Sequence, residues 1–502
     1  MKVNEAFSLF PTINCRAVLN KNSEKWNQEL MQVSSSTHNI IPGTLFCAYQ
    51  GASRDGHEFI SEAILKGALA LIVENEDKLP KEISLPCLIV TDGRAAFETL
   101  AKYFYNGRDQ QMYMIGVTGT NGKTSITYLV EHLLSDKQTT FGVMGTVNHR
   151  INAKVWDSQL TTPDSWTLYQ RLDEFYKLGA TGAVLEVSSH ALDQKRVHSL
   201  NFDVAIFTNL TRDHLDYHKT MTSYFKAKEI FFKSLMLKSV KLKKMAIING
   251  DDNYGRKLKV ADGVEKIYFG KSKFNNWRFK VLEKNFNFQK VKIYFGEMEW
   301  IFELPLIGEH NIYNFMPVLI IGFKNNYSLP LLQKKVSEFK GIPGRLQKVF
   351  LSRARRNIFI DYAHSPDALL NILLAVKKIR SELKNKKIKI FTLFGCGGDR
   401  DKGKRPLMAK VAEKHSDVVV VTSDNPRTES PGAIIEDIMK GFKSKKRVHK
   451  EENRSEAIKW IIANSAQEDV ILLCGKGHEN YQIIGSEKKY FSDYDEVVRN
   501  FE

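Results

Sequence analysis

The sequence predicts a three-domain α/β protein, in which a small N-terminal α/β domain precedes a central, mostly parallel sheet and a C-terminal Rossmann-like domain follows it. Three observations carry this. The chain has 502 residues, enough for roughly three cores of about 150 residues each. Short apolar runs alternate with helical stretches along nearly the whole length, the rhythm of parallel sheets wrapped by helices. One of these runs, Met112-Tyr113-Met114-Ile115, empties directly into Gly116-Val117-Thr118-Gly119-Thr120-Asn121-Gly122-Lys123-Thr124-Ser125, a glycine-rich loop opening a helix. Residues 1–110 form the first domain, with strands at 44–48, 69–73 and 87–90 and a helix over 59–67. Residues 111–340 form the second, with strands at 112–117, 182–187, 204–209 and 245–249 and appended antiparallel strands over 277–304. The turn Gly341-Ile342-Pro343-Gly344 marks a linker. Residues 341–502 form the third, with strands at 358–362, 389–394, 418–422 and 470–474.

Composition excludes several classes. The chain is 43% hydrophobic yet has no apolar run near the ~20 residues that span a bilayer. Its start, Met1-Lys2-Val3-Asn4-Glu5, lacks an apolar signal core, so a cytoplasmic protein without membrane insertion is expected. Five scattered cysteines, with no Cys-x-x-Cys pair, fit reduced structural thiols. The net charge of +17 would suit a nucleic-acid partner. However, the densest basic stretches, 238–244, 384–389 and 443–450, lie between apolar segments without aromatic platforms, so solvated faces are expected and no nucleic acid.

The glycine-rich loop is a nucleotide triphosphate site of the P-loop ATPase type. Glycines let backbone N–H groups turn toward phosphate oxygens, Lys123 adds a mobile positive charge, and Thr124 offers a hydroxyl to magnesium. Val117 stands where the strict Walker pattern has glycine, leaving the shorter form Gly119 to Thr124. Ligands of open α/β sheets lie beyond the carboxyl ends of strands. There Glu186, in Glu186-Val187-Ser188-Ser189-His190, and His214, in the run 208–218, share an edge with the loop and could complete a magnesium shell with Thr124. In the third domain, three successive strand exits carry Arg400, Arg427 and Glu479. Two guanidiniums and a carboxylate suit an amino acid with an additional carboxylate; an internal salt-bridge network is the alternative.

Together, 118–124, 186–190, 209–218, Asp361-Tyr362-Ala363-His364-Ser365-Pro366-Asp367, Gly397-Gly398-Asp399-Arg400-Asp401-Lys402 and Asp424-Asn425-Pro426-Arg427 resemble the Mur ligase family, in order and over nearly the whole chain. The likeness is greatest to its diaminopimelate-adding branch. It implies an ATP- and magnesium-dependent enzyme of peptidoglycan synthesis, serving cell shape and division, that joins meso-diaminopimelate to a UDP-N-acetylmuramoyl dipeptide through an acyl phosphate. A monomer is expected. By motif, Gly119, Thr120, Asn121, Gly122, Lys123, Thr124, Ser125, Asn311, Asn314, Arg345, Asp361 and His364 fall where the family binds ATP. Thr161, Thr162, Ser188, Gln194 and Arg196 match its contacts to the muramoyl substrate. Arg400, Asp424, Asn425, Pro426, Arg427, Gly475 and Glu479 match its amino-acid site. Lys228 matches a lysine that is carbamylated in the family to serve, with Thr124, Glu186 and His214, around the metal; Lys123, His214 and Lys228 are the catalytic set so implied.

Three positions depart from the family pattern. Ser36-Thr37-His38 replaces Asp-Ser-Arg, though Thr37 still offers a hydroxyl to the uridine; His310 replaces Phe and Gln347 replaces Glu. The Asp-Asn-Pro-Arg motif and Thr161-Thr162-Pro163 argue against a lysine-adding ligase, folylpolyglutamate synthetase or cyanophycin synthetase. A nucleic-acid-stimulated ATPase and a scaffold without catalysis are the readings from other classes.

Overall fold

The computed structural model describes residues 1–10, 14–51, 54–351, 356–383 and 387–501. Of the basic stretch 384–389, residues 384–386 therefore lie outside the described residues. The chain divides into two compact units, Met1–Asn276 and Trp277–Glu502.

The first unit opens with a five-stranded sheet: β1 (Cys15–Leu19), β2 (Gln32–Ser34), β3 (Thr44–Ala48), β4 (Ala68–Val73) and β5 (Cys87–Val90), in the order β1-β5-β4-β3-β2. β3, β4 and β5 are buried along their full length, and separate apolar clusters cover the two faces. The helix Gly93–Phe104 follows, started by Asp92, whose carboxylate accepts from Ala95 N.

The large sheet of this unit comprises β6 (Tyr113–Thr118), β7 (Phe141–Met144), β8 (Asn148–Ile151), β9 (Lys154–Asp157), β10 (Gly182–Glu186), β11 (Val204–Phe207), β12 (Met245–Asn249) and β13 (Glu265–Gly270). Their order is β13-β12-β11-β6-β10-β7-β8-β9, parallel except for β8 and β9. Strands buried on both faces read as continuous apolar runs, which is why β6, β10, β11 and β12 were expected. The β8–β9 hairpin was not expected, because Asn148-His149-Arg150-Ile151 and Lys154-Val155-Trp156-Asp157 carry no such run. Register places Glu186 of β10 beside Val117 and Phe207 of β11 beside Thr118, so three strand ends converge on the start of the glycine-rich loop.

The second unit begins with an antiparallel meander of β14 (Trp277–Lys284), β15 (Gln289–Phe295) and β16 (Met298–Leu304). The helices Glu309–Lys324 and Leu329–Ser337 follow. A six-stranded sheet then combines β17 (Gln347–Lys348), β18 (Asn357–Asp361), β19 (Ile390–Phe394), β20 (Val418–Val421), β21 (Val448–Lys450) and β22 (Val470–Cys474) in the order β17-β18-β22-β19-β20-β21. Apolar clusters cover both of its faces. A separate hairpin, β23 (Tyr481–Ile484) and β24 (Glu487–Tyr490), stands outside this sheet. It too was unexpected, since Lys488 and Lys489 interrupt any apolar alternation in its second strand.

All five cysteines are free, four of them buried. Among the described residues, no helix is long and apolar enough to cross a membrane. Part of the basic stretch 238–244 is structural: Lys241 Nζ donates to Met112 O at 2.5 Å and pairs with Asp203 at 3.2 Å.

Gly116 shows how tightly the strand feeding the loop is packed. A Cβ there would lie 2.4 Å from Phe231 Cζ and 2.9 Å from Phe202 Cε1, both in the buried cluster. Gly116→Ala is expected to destabilise the unit by about 1–3 kcal/mol. Thermal unfolding measures this, and an unchanged midpoint would mean that the core yields without strain.

Candidate active site

The glycine-rich loop runs from Thr118 into the helix Lys123–Leu134. Gly122 has φ 92° and Gly119 φ 145°, and a Cβ on Gly119 would fall 1.9 Å from Thr208 Oγ1, so glycine is required there on both grounds. The exit of β11 braces the loop. Thr120 N donates to Asn209 O (2.9 Å), Asn121 N to Asn209 Oδ1 (3.0 Å), Thr208 Oγ1 to Asn121 O (2.6 Å) and Thr211 N to Thr120 Oγ1 (3.0 Å). The Thr120 and Tyr224 hydroxyls lie 3.2 Å apart. Lys123 Nζ donates to Gly119 O (2.9 Å) and Thr120 O (2.8 Å), placing its charge over the loop. Thr124 and Ser125 are buried in the first helical turn.

Lys228 projects from the helix Met221–Ile230 beneath this loop. Its side chain is buried, and Nζ donates to Gly119 O at 3.0 Å with Thr118 Oγ1 at 3.4 Å. Burial, with the Lys123 charge adding to it, holds this amine well below the usual lysine range. His214 is half-exposed with φ 52°, and its ring stands edge-on to His190 at 4.9 Å. Burial lowers its pKa, and Asp213 opposes that effect.

Glu186 is 1% exposed, and its carboxylate accepts from Thr146 N and Thr146 Oγ1, each at 3.0 Å. It has no cationic partner among the described residues. A buried carboxylate without a counter-charge is costly, so the position suits a cation. Glu186 and His214 are not joined by a third ligand of their kind: no three His, Cys, Asp or Glu side chains form a metal-holding group among the described residues.

From Glu186 a hydrogen-bonded network extends through the residues expected to contact the muramoyl substrate. The Thr146 and Thr161 hydroxyls lie 3.1 Å apart, Thr146 accepting since its own proton goes to Glu186; Thr162 Oγ1 donates to Glu186 O (2.7 Å), and Ser188 N donates to Thr162 Oγ1 (3.0 Å). Arg196 donates to Thr162 O (2.8 Å) and to Gln194 Oε1 (2.5 Å). Gln194 and Arg196 then line a cavity of about 290 Å³, whose other walls include Ser35, Tyr49, Arg54, Arg94 and Asp164. Sequence reasoning missed these five. The one usable signal was position, since Tyr49 and Arg94 closely follow the apolar strands β3 and β5. Thr37 is not part of this wall: it is buried, its carbonyl accepts from Lys66 Nζ (2.9 Å), and its hydroxyl bonds with Glu62. Ser35, two residues earlier, reaches the cavity instead.

In the second unit, Asp361 ends β18 and is buried, accepting from Leu346 N (2.7 Å) and Ala363 N (2.9 Å). Burial raises its pKa to about 6, against the opposing pull of Arg345. The Arg345 guanidinium lies 5.5 Å from the Tyr362 ring centre, and His364 Nδ1 lies 2.8 Å from Tyr362 O. Gln347 Oε1 accepts from Gly344 N (2.9 Å), so the amide serves the turn here. Asn311 and Asn314 sit on the helix Glu309–Lys324; Asn311 Nδ2 donates to Ile307 O (2.8 Å) and Asn314 Nδ2 to Asn311 Oδ1 (3.2 Å).

The exits of β19, β20 and β22 are adjacent, and most of their polar residues meet. Asn425 Nδ2 donates to Glu479 Oε2 (2.8 Å), while Lys476 Nζ lies 3.3 Å from both Asn425 Oδ1 and Glu479 Oε2. Arg427 Nη1 donates to Gly398 O (2.8 Å) and would be 2.9 Å from a Cβ on Gly397. A Cβ on Gly475 would lie 2.5 Å from Asp424 Oδ2. Asp424, Asn425 and Pro426 are buried. The expected salt-bridge alternative applies only to Glu479, which pairs with Lys476. Among the described residues, Arg427 makes no ion pair, and Arg400 is exposed and makes none. Lys476 is the contributor sequence reasoning missed; its neighbour Gly475 had been picked out.

Comparison with known proteins finds extensive similarity along the chain. Residues 117–322 match the family model "Mur ligase middle domain", and residues 344–477 match "Mur ligase, glutamate ligase domain". The chain is 40% identical to a UDP-N-acetylmuramoyl-L-alanyl-D-glutamate--2,6-diaminopimelate ligase of Fusobacterium nucleatum, covering 93% of this chain and 94% of that one. It is 40% identical to the like-named protein of Aquifex aeolicus, over 92% and 91%. A solved structure of a ligase of that name superposes with a TM-score of 0.71 at 30% identity, covering 100% of this chain and 98% of its own.

The Thr208 hydroxyl is the shortest link between the β11 exit and the loop. Thr208→Val is expected to weaken ADP binding about 5–10-fold, the scale of one lost hydrogen bond of about 1 kcal/mol. Titration calorimetry reads this directly, and an unaltered affinity would mean that the glycines alone hold the loop.

Proposed function

The chain belongs to the Mur ligase family, and we propose that it joins meso-diaminopimelate to the γ-carboxylate of the D-glutamyl residue of UDP-N-acetylmuramoyl-L-alanyl-D-glutamate, with ATP as phosphoryl donor. The observation that carries this is Arg427, a guanidinium without an ion pair among the described residues, beside the Glu479 and Asn425 cluster. A diamino acid with two carboxylates needs such an arrangement: Glu479 holds an ammonium while Arg427 and Arg400 take the distal carboxylate. Residues 1–110, 111–340 and 341–502 then serve the uridine nucleotide, ATP and the amino acid respectively.

An unactivated carboxylate is a poor electrophile. Its oxygen attacks the γ-phosphorus of ATP, ADP leaves, and an acyl phosphate remains. The incoming amine attacks that carbonyl, loses a proton and expels phosphate, forming the amide. Lys123 spreads positive charge over the β- and γ-phosphates as the P–O bond breaks, and the loop N–H groups between Gly119 and Thr124 orient them. Magnesium, when bound, supplies further charge neutralisation on the same oxygens. Thr124, Glu186, His214 and a modified Lys228 are the residues that would hold it, and the uncompensated buried Glu186 carboxylate fits that assignment. The cavity lined by Arg54, Arg94 and Arg196 suits the anionic diphosphate of the nucleotide substrate, with Gln194 and the Thr161-Thr162-Ser188 network leading from it toward Glu186.

Lys228 supports a modification. Burial lowers the pKa of the Lys228 amine and so favours its neutral form, the nucleophile that attacks carbon dioxide, forming an N–C bond and losing a proton to give a carbamate. That change replaces an amine, which when protonated would repel magnesium, with an anion. Protein equilibrated with ¹³C-bicarbonate is expected to show a carbamate carbonyl resonance that Lys228→Ala lacks; identical spectra would leave Lys228 as an unmodified amine.

The deciding assay is phosphate release from ATP, magnesium and the UDP-muramoyl dipeptide, with meso-diaminopimelate, L-lysine or neither. Release is expected to be far faster with diaminopimelate than with lysine, and absent without an amino acid. Arg427→Ala is expected to lose about 2–5 kcal/mol of discrimination against lysine, the cost of leaving a guanidinium unpaired in the site. An unchanged preference would remove Arg427 from the specificity site, and release with lysine alone would overturn the substrate assignment.

A further inference from the structure

The β23–β24 hairpin has little to stabilise it in isolation. Its residues are half-buried or exposed, and a lone two-stranded hairpin is marginal in water. What holds it is the loop that follows β20. Arg427 N donates to Ile483 O (3.1 Å) and Gly485 N donates to Arg427 O (2.7 Å), closing a parallel bridge between Arg427 and Ile484. Gln482 Nε2 donates to Asp424 O (2.7 Å) and lies 3.4 Å from Ser423 Oγ. Ile483 N donates to Asn425 Oδ1 (3.0 Å).

These contacts act on the two residues whose geometry matters most at the amino-acid site. Arg427 has φ 52°, a left-handed backbone that costs a side-chain-bearing residue about 1–2 kcal/mol. Both of its main-chain polar groups are held by the hairpin, so the strained conformation, and with it the origin of the guanidinium, depends on β23. Asn425 is an amide with two distinguishable ends. Because Oδ1 receives Ile483 N and Lys476 Nζ, Nδ2 is turned toward Glu479 Oε2. Tyr481 closes the near end of the strand: burial and then Glu479 raise its hydroxyl pKa, and Lys488 Nζ sits 4.0 Å from its ring centre.

We propose that the hairpin is a selectivity clamp, in which Gln482 and the main chain of Ile483 and Gly485 are positioning groups that hold Arg427 and Asn425 in register with the distal carboxylate of the incoming amino acid. It rests on the function proposed above. Without the clamp, Arg427 relaxes toward the right-handed backbone and its guanidinium moves, while Lys476 still holds Glu479 through their ion pair. The loss therefore falls on the amino acid bearing a second carboxylate, and lysine, which has none, is spared. A brace with a purely structural role would lower the use of both amino acids together.

The test is steady-state kinetics of Gln482→Ala and of Gln482→Met in the full-length chain, with meso-diaminopimelate and with L-lysine. The Met variant retains the bulk of the side chain and removes the amide donor, which guards against a folding defect; ADP affinity and the melting temperature monitor the rest of the molecule. The expected result for both variants is a KM for diaminopimelate raised about tenfold, as for one lost hydrogen bond of about 1.4 kcal/mol, with kcat within about twofold and lysine kinetics unchanged. An equal loss for both amino acids, or an unaltered diaminopimelate-to-lysine ratio, overturns the clamp while leaving the function standing. A wild-type enzyme that does not use diaminopimelate overturns the function itself, and the clamp with it.

Discussion

The first unit depends on the seam where the exit of β11 grips the glycine-rich loop. A loop of this kind must hold several backbone N–H groups toward one point, an arrangement of like dipoles that does not persist without support. Thr208, Asn209 and Thr211 provide it through hydrogen bonds to Thr120 and Asn121. Parallel pairing of β6 with β11 makes the seam possible, because it brings Phe207 beside Thr118 and lets both exits leave the sheet at the same level. Lys228 then completes the support from below, through Gly119 O, and that is also why its amine is dry.

The second unit solves a comparable problem with a buried ion pair. Arg454 and Asp493 are wholly buried and bonded through two N–H···O contacts of 2.7 Å. The guanidinium also reaches Cys474 O at 3.2 Å and Ser423 O at 3.4 Å, the residues that lead into Gly475 and Asp424. Removing one partner of such a pair costs about 3–5 kcal/mol, since the other charge is left buried alone. The pair therefore sets the spacing of the β20 and β22 exits, and the hairpin sets the orientation of what those exits carry. Spacing and orientation are held by different elements, so each can vary without collapse of the other.

Much of this was legible in the residues. β3, β5, β12 and β22 lie at the positions expected from their apolar runs, because strands buried on both faces must be apolar throughout. The strand-exit rule picked out Glu186, His214, Arg400, Arg427 and Glu479, and the structure puts each at or just beyond the carboxyl end of a parallel strand. Strands without an apolar run were missed: β8, β9, β23 and β24 have mixed polarity, which no period-two or continuous apolar pattern marks.

The sequence by itself determined the fold class, the family and the chemical types available at each strand end, because apolar runs, glycines with obligatory backbone angles and charged exits are local properties. Only the tertiary structure decided which of these groups act together. Burial of Lys228 under Gly119, the bonds from Thr146 to Glu186, the cavity shared by Tyr49, Arg94 and Arg196, and the grip of Ile483 on Asn425 all join residues far apart in the chain. Their energies come from desolvation and from hydrogen bonds whose partners are chosen by packing, and no local pattern encodes that choice.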